Sequence, residues 1–241
     1  MTSRDRILGK IRTGLAAEPS GAIASGAARR AVVEQHLAEP TRRLIPARVA
    51  GKPQHELGAI LRMWLEAAGG HVIEAAAAQD VPGAIAGYLR SHNQPARVRI
   101  GTDARLGALP WAHEAALEVE HGPAKPTDTA GVTHALAAVA ETGTVLVASG
   151  AENPVTLSFL PESNIVVVDR ADIVGPLEDA LARLRTRTGG LPRTLNMISG
   201  PSRSADIGGI PVLGAHGPKR LCVVVVGQAG SSPSNPAIRA G

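Results

Sequence analysis

The chain has 241 residues, 44% of them apolar but largely alanine and valine, enough for one α/β domain of ordinary size with extensions. Four aromatics (Trp64, Tyr88, Trp111 and Phe159) are too few for a nucleic-acid stacking platform, and one cysteine excludes an intrachain disulfide and a four-cysteine iron–sulfur site. The net charge of +4 is uneven: ten Lys/Arg against four acids in residues 1–55 leave the remainder at −2, so the basicity belongs to an N-terminal arm.

Ile7, Leu8, Ile11 and Leu15 recur at helical spacing behind Thr2 and Ser3, predicting a capped amphipathic helix over 3–16. A small-residue linker follows, then a basic helix over 27–38, with Pro40 and Pro46 enclosing an extended stretch. Such an arm suits a solvated helix or docking to an acidic protein better than nucleic acid.

From about residue 54 short apolar runs alternate with helical patterns. "HELGAILRMWLEAAGG" reads as a helix stopped by Gly69–Gly70, "HVIEAA" as a strand, "DVPGAIAGYLRSH" as a helix with Pro82 in its first turn, and "ARVRIG" and "ALEVE" as strands. Asp128 or Thr129 is placed to cap a helix over 130–140, "AGVTHALAAVA", with His134 on it as a core or surface histidine. "TGTVLVAS" and "NIVVVD" read as strands, "DIVGPLEDALARLRTRTGG" as a helix, and "TLNMIS" and "RLCVVVVG" as strands. Cys222 is then a buried strand residue. Runs such as "IVVV" and "CVVVV" fit central strands covered on both faces, so the expected fold is α/β, a mainly parallel sheet flanked by helices. The expected organisation is an arm over 1–53, a domain over 54–228 and a disordered tail over 229–241. No apolar run approaches the ~18 residues of a membrane span, and the N-terminus lacks a secretory apolar centre, so the expected location is cytoplasmic.

Three segments carry candidate chemistry. In "ISGPSRSADI", Ser202 or Ser204 can cap a short helix, and Ser199, Gly200, Ser202, Arg203 and Ser204 can receive a carboxylate or phosphate, with Asp206 orienting Arg203 or accepting a ligand hydroxyl. The alternative is a capped turn with Arg203 in a structural pair. In "GAHGPKRL", Gly217 permits close backbone approach, and His216 is a candidate acid, base or donor, or a turn histidine. In "AVAETGTVLV", Glu141 is a candidate nucleophile, base or orienting acceptor beside Thr142 and Gly143, or a residue bonding local backbone. The chain has no phosphate loop, dinucleotide fingerprint, nucleophile elbow or zinc helix motif.

Together "ETGTVLV", "LPESNIVVVDRADIV", "ISGPSRSADI" and "GAHGPKRLCVVVVG" resemble, in order and spacing, the lactate utilisation protein C family, the LUD domain, over about residues 55–228. Ser204 stands where the family often has Thr. The resemblance implies a fold similar to the sugar-phosphate isomerase and CoA-transferase superfamily. It further implies a role in oxidising L-lactate to pyruvate with two iron–sulfur partner proteins that carry the clusters, this chain holding no cofactor. It assigns no catalytic residue. Two other readings stand beside it: an assembly or regulatory protein with a vestigial pocket, and an independent transferase or isomerase using Glu141.

Overall fold

In the last strand, Val223 and Val225 pack into one core cluster while Cys222 and Val224 pack into another. That alternation means a sheet with both faces buried, and it organises the whole domain. The computed structural model describes residues 2–16, 26–38, 44–187, 191–204 and 212–227. They fall into two compact units, divided between Leu44 and Ile45.

The first unit holds α1 (Ser3–Ala16) and α2 (Gly26–Ala38). Thr2 caps α1 as its position predicts: its Oγ1 accepts from Asp5 N, while its own N–H donates to the Asp5 carboxylate. Ile7 and Ile11 on α1, and Val32 and Val33 on α2, are exposed.

The second unit runs α3 (Gln54–Ala67), β1 (His71–Ala75), α4 (Val81–Ser91), β2 (Arg97–Ile100), α5 (Ala104–Gly107), β3 (Glu118–His121), β4 (Ala130–His134), β5 (Ala137–Val139), β6 (Thr144–Ala148), α6 (Thr156–Phe159), β7 (Ser163–Asp169), β8 (Ile173–Val174), α7 (Leu177–Arg187), β9 (Leu195–Ile198), β10 (Arg203–Ser204), β11 (Val212–Leu213) and β12 (Arg220–Val226). A six-stranded sheet has the order β1-β12-β7-β4-β2-β3, and every pairing in it is parallel. Leu57, Leu61 and Leu65 of α3 cover one face beside a four-stranded sheet, β8-β5-β6-β9; Val81, Ile85 and Leu89 of α4 cover the other. The mainly parallel α/β expectation therefore holds.

One element differs. The helix expected over 130–140 is instead β4 and β5, joined by a bend at Ala135–Leu136 that carries the chain from the six-stranded sheet into the four-stranded one. Every residue from Ala130 to Ala140 is buried. A helix on this surface needs a polar face and this run has none, so two short strands satisfy its backbone within two sheets. Asp128, expected as a possible cap, instead accepts hydrogen bonds from the buried Arg99 and from Lys125 N. Residues 173–174, expected at the start of a helix, form β8; the helix begins at Leu177. Ser202 leads into β10, not a helix. The short helix expected after Ser204, Asp206 and the tail over 229–241 lie outside the described residues.

Candidate functional site

Two of the three segments singled out by sequence, SGPS and HGP, meet at the amino-terminal end of the six-stranded sheet, where β7 and β12 begin. Ser202 N donates to Pro218 O at 2.9 Å, Gly214 N donates to Ser202 O at 2.9 Å, and β10 pairs antiparallel with β11. A cavity of about 250 Å³ lies here, bordered by Ser199, Gly200, Ser202, His216 and Gly217 among others. Among the described residues, neither the Ser202 hydroxyl nor the His216 ring is engaged by protein. Ser158 Oγ and Asn164 Oδ1, on two further bordering residues, are buried and also without hydrogen-bond partners among the described residues. Arg220 borders the cavity and shares Glu162 with Lys219, donating to its Oε1 at 2.8 Å while Lys219 Nζ stands at 3.5 Å. The Arg220 hydrogen bond, with Lys219 nearby, holds the Glu162 carboxyl below its usual range. Two cations on one carboxylate leave the rim positive.

The other predicted residues serve as scaffold around the end of α3. Gly143 has φ +63°, and a Cβ there would lie 2.6 Å from Trp64 Cβ and 2.9 Å from Leu65 N. The β5–β6 turn can rest on the helix only because this residue lacks a side chain. Thr142 Oγ1, Thr144 Oγ1 and Ser199 Oγ form a hydroxyl chain with 2.7 Å steps, tying that turn to the cavity's edge. Glu141 is fixed by its backbone: its N–H donates to Gly175 O at 3.1 Å, and its carbonyl accepts from Arg48 Nε at 3.3 Å. Arg203 donates to Ala68 O at 2.9 Å, closing the C-terminal end of α3. Glu141, Thr142, Gly143, Arg203 and Ser204 do not border the cavity.

A second cleft was not legible as a site. In the parallel sheet β2 connects outward to β3, whereas β4 connects the opposite way towards β7; the connections diverge between the adjacent strands β2 and β4. Open α/β sheets collect ligands at such a switch point, beyond the strand carboxyl ends. A cleft of about 600 Å³ lies there, bordered by Asp103, Arg105, His134 and Asn153 among others. The Asp103 carboxylate accepts from Arg105 N (2.9 Å), Arg105 Nε (3.0 Å), Arg105 Nη2 (2.6 Å) and Asn153 Nδ2 (3.0 Å). Burial opposes ionisation of Asp103, but these Arg105 contacts outweigh it and hold the carboxyl at about 2. His134, 4% exposed, ends β4 with Nδ1 2.9 Å from Ala135 O and Nε2 3.6 Å from the Asp169 carboxylate. Burial, then the charge of Arg105, keeps the imidazole below its usual range, so it is neutral at pH 7. Reading 130–140 as a helix hid His134; read as a strand, the same residues place it at a carboxyl end. Among the described residues no group of three or more His, Cys, Asp or Glu is placed to hold a metal ion, and no helix is long and apolar enough to cross a membrane.

Fold and clefts together define a parallel α/β domain covered on both faces, with a cleft at each end of its sheet. The LUD domain matches residues 61–226, and the chain belongs to that family. It is similar to lactate utilization protein C of Shouchella clausii, 38% identical over 98 residues, 40% of this chain and 43% of that protein. It is also similar to lactate utilization protein C of Bacillus licheniformis, 32% identical over 123 residues, 50% of this chain and 51% of that protein. The match thus spans about half the length of these relatives. A crystal structure of a DUF162 family protein from Deinococcus radiodurans superposes with a TM-score of 0.57 at 26% identity, covering 73% of this chain and 99% of that one.

Proposed function

We propose that this protein is a component of an L-lactate utilisation system that binds a small carboxylate in the amino-end cavity. It acts with two iron–sulfur proteins that carry electrons from L-lactate as it becomes pyruvate. Relatives named lactate utilization protein C support the system. The observation that carries the site is the convergence on one cavity of the SGPS and HGP segments, with Ser202 and His216 unengaged among the described residues and Arg220 at a positive rim. A carboxylate entering it meets hydroxyl and imidazole donors already positioned, and the surplus charge favours the anion. With one cysteine, the chain supplies no cluster, so the electrons pass to the partners. Arg203 contributes to the field while its guanidinium stays on the α3 carbonyl.

Calorimetry with L-lactate, pyruvate and inorganic phosphate tests the reading. Lactate or pyruvate is expected to bind, with affinity at least fivefold weaker in Ser202→Ala combined with His216→Ala. Unchanged affinity in that variant, or no binding of any of the three anions, overturns the site. Pull-down of iron–sulfur proteins encoded beside this chain tests the partnership.

A further inference from the structure

We propose that the carboxyl-end cleft at the β2/β4 switch point is a second site, in which His134 Nε2 accepts a hydrogen bond from a hydroxyl of a ligand that carries no negative charge. The proposal is independent of the lactate reading, which concerns the opposite end of the sheet.

The tautomer follows from geometry. Ala135 O is an acceptor only, so the imidazole nitrogen 2.9 Å from it must carry the hydrogen. In the neutral ring the remaining lone pair is on Nε2. This is the arrangement a fixed hydrogen-bond acceptor requires: one nitrogen locked on a carbonyl, the other unprotonated. The ring is held on strand β4, and its backbone N–H lies 3.5 Å from Asn153 Oδ1. Asn153 in turn donates to the buried Asp103 carboxylate, so histidine, loop and the Asp103–Arg105 ion pair form one connected unit.

The charges select the ligand. Asp103 and Arg105 face His134 from the segment after β2 and cancel one another. Asp169, from the end of β7, adds a carboxylate 3.6 Å from His134 that also acts on Arg105, and Glu152, from the loop after β6, adds a further one against that single guanidinium. The cleft is therefore net negative, and a free carboxylate or phosphate is repelled. An uncharged or cationic polyol, such as a sugar or amino sugar, meets acceptors for its hydroxyls and leftover Arg105 N–H groups as donors.

In the complex the ligand O–H stays intact and donates to the Nε2 lone pair, while Nδ1–H stays on Ala135 O. A cationic group on the ligand is favoured by Asp169, whose carboxylate stands 3.6 Å from Nε2.

Nitrogen-15 NMR of the histidine side chains in the full chain tests this, His134 being assigned from the spectrum of His134→Gln. At pH 7 the expected state is neutral with the hydrogen on Nδ1. Titration with glucose and glucosamine is expected to shift the His134 and Asn153 side-chain signals, while L-lactate at equal concentration leaves them in place. Asp169→Asn, a change at a side chain that is 48% exposed, is expected to weaken glucosamine binding at least fivefold and to lower the His134 titration further. It carries the comparison should the His134 variant not fold. A hydrogen on Nε2, shifts with lactate equal to those with the sugars, or no shift with either sugar overturns the proposal.

Discussion

Gly101, the residue after β2, supports the switch-point cleft from below. A Cβ at this position would lie 1.8 Å from Glu152 O and 2.9 Å from its carbonyl carbon, with Pro154 Cδ at 3.3 Å. Reaching ordinary contact requires the Glu152 backbone to retreat by about 1.6 Å, since non-bonded heavy atoms settle roughly 3.4–4.0 Å apart. The next residue is Asn153, whose 3.0 Å bond to the Asp103 carboxylate and 3.5 Å approach to His134 N do not survive such a shift. Overpacking with backbone displacement costs about 1–3 kcal/mol, and losing a hydrogen bond to a buried charge costs about 1.5–3 kcal/mol. Gly101→Ala should therefore destabilise the domain by about 3–5 kcal/mol, a large share of the roughly 5–15 kcal/mol typical of a folded protein. For a domain of this size that lowers Tm by about 10 °C or more. Thermal unfolding followed by circular dichroism measures the first effect and the His134 side-chain NMR signal the second. A Tm within about 2 °C of the parent, with the His134 signal unmoved, would refute the idea that close backbone approach at Gly101 sets the cleft.

Gly143→Ala should cost about 2–4 kcal/mol, from the positive φ and from the clash with Trp64 and Leu65, and urea denaturation would show it; an unchanged midpoint would remove the turn from the scaffold. Stability should also fall in acid in two stages. His134 is held below its ordinary value of 6.5, so the unfolded chain takes that proton first and stability begins to fall as pH drops through the usual histidine range. Asp103, at about 2 against an ordinary 3.8, contributes about 2 kcal/mol that is present in full above pH ~4 and lost as pH falls towards 2. Denaturation series at several pH values for the parent and Asp103→Asn check the second stage, where the variant's slope should be shallower.

The parallel sheet was legible because its central strands are unbroken apolar runs, and α3 because Leu57, Leu61 and Leu65 share one helical face ahead of a glycine stop. Ala130–Ala140 was misread for a physical reason. A segment buried on all sides has no polar face to reveal its period, and alanines suit a helix by propensity even where two sheets claim them. At the amino end, the clustering of Ser199, Gly200, Ser202, His216 and Gly217 could be read from turn chemistry. The scaffold duties of Gly143 and Arg203 could not, since each depends on contact with a helix more than seventy residues away in sequence. The switch-point cleft left no local signature at all. Asp103, His134, Asn153 and Asp169 come from four separate segments, and strand order alone brings them together.

Strand order also governs how the chain can assemble. The partner of β1 is β12, with His71 opposite Cys222 and Val72 opposite Val223, so one of the first strands to leave the ribosome waits for the last. The β2–β3 pair and the β4–β7 pair can form earlier. They leave an open edge on β7 and a bare apolar face until β12 slides between β7 and β1. Folding with so long a loop closure is slow, and an unfinished sheet presents unpaired edges to other chains. The valine-rich β12 is therefore the closing wedge of the domain, and truncation before Arg220 should yield an aggregating chain, not a smaller folded one.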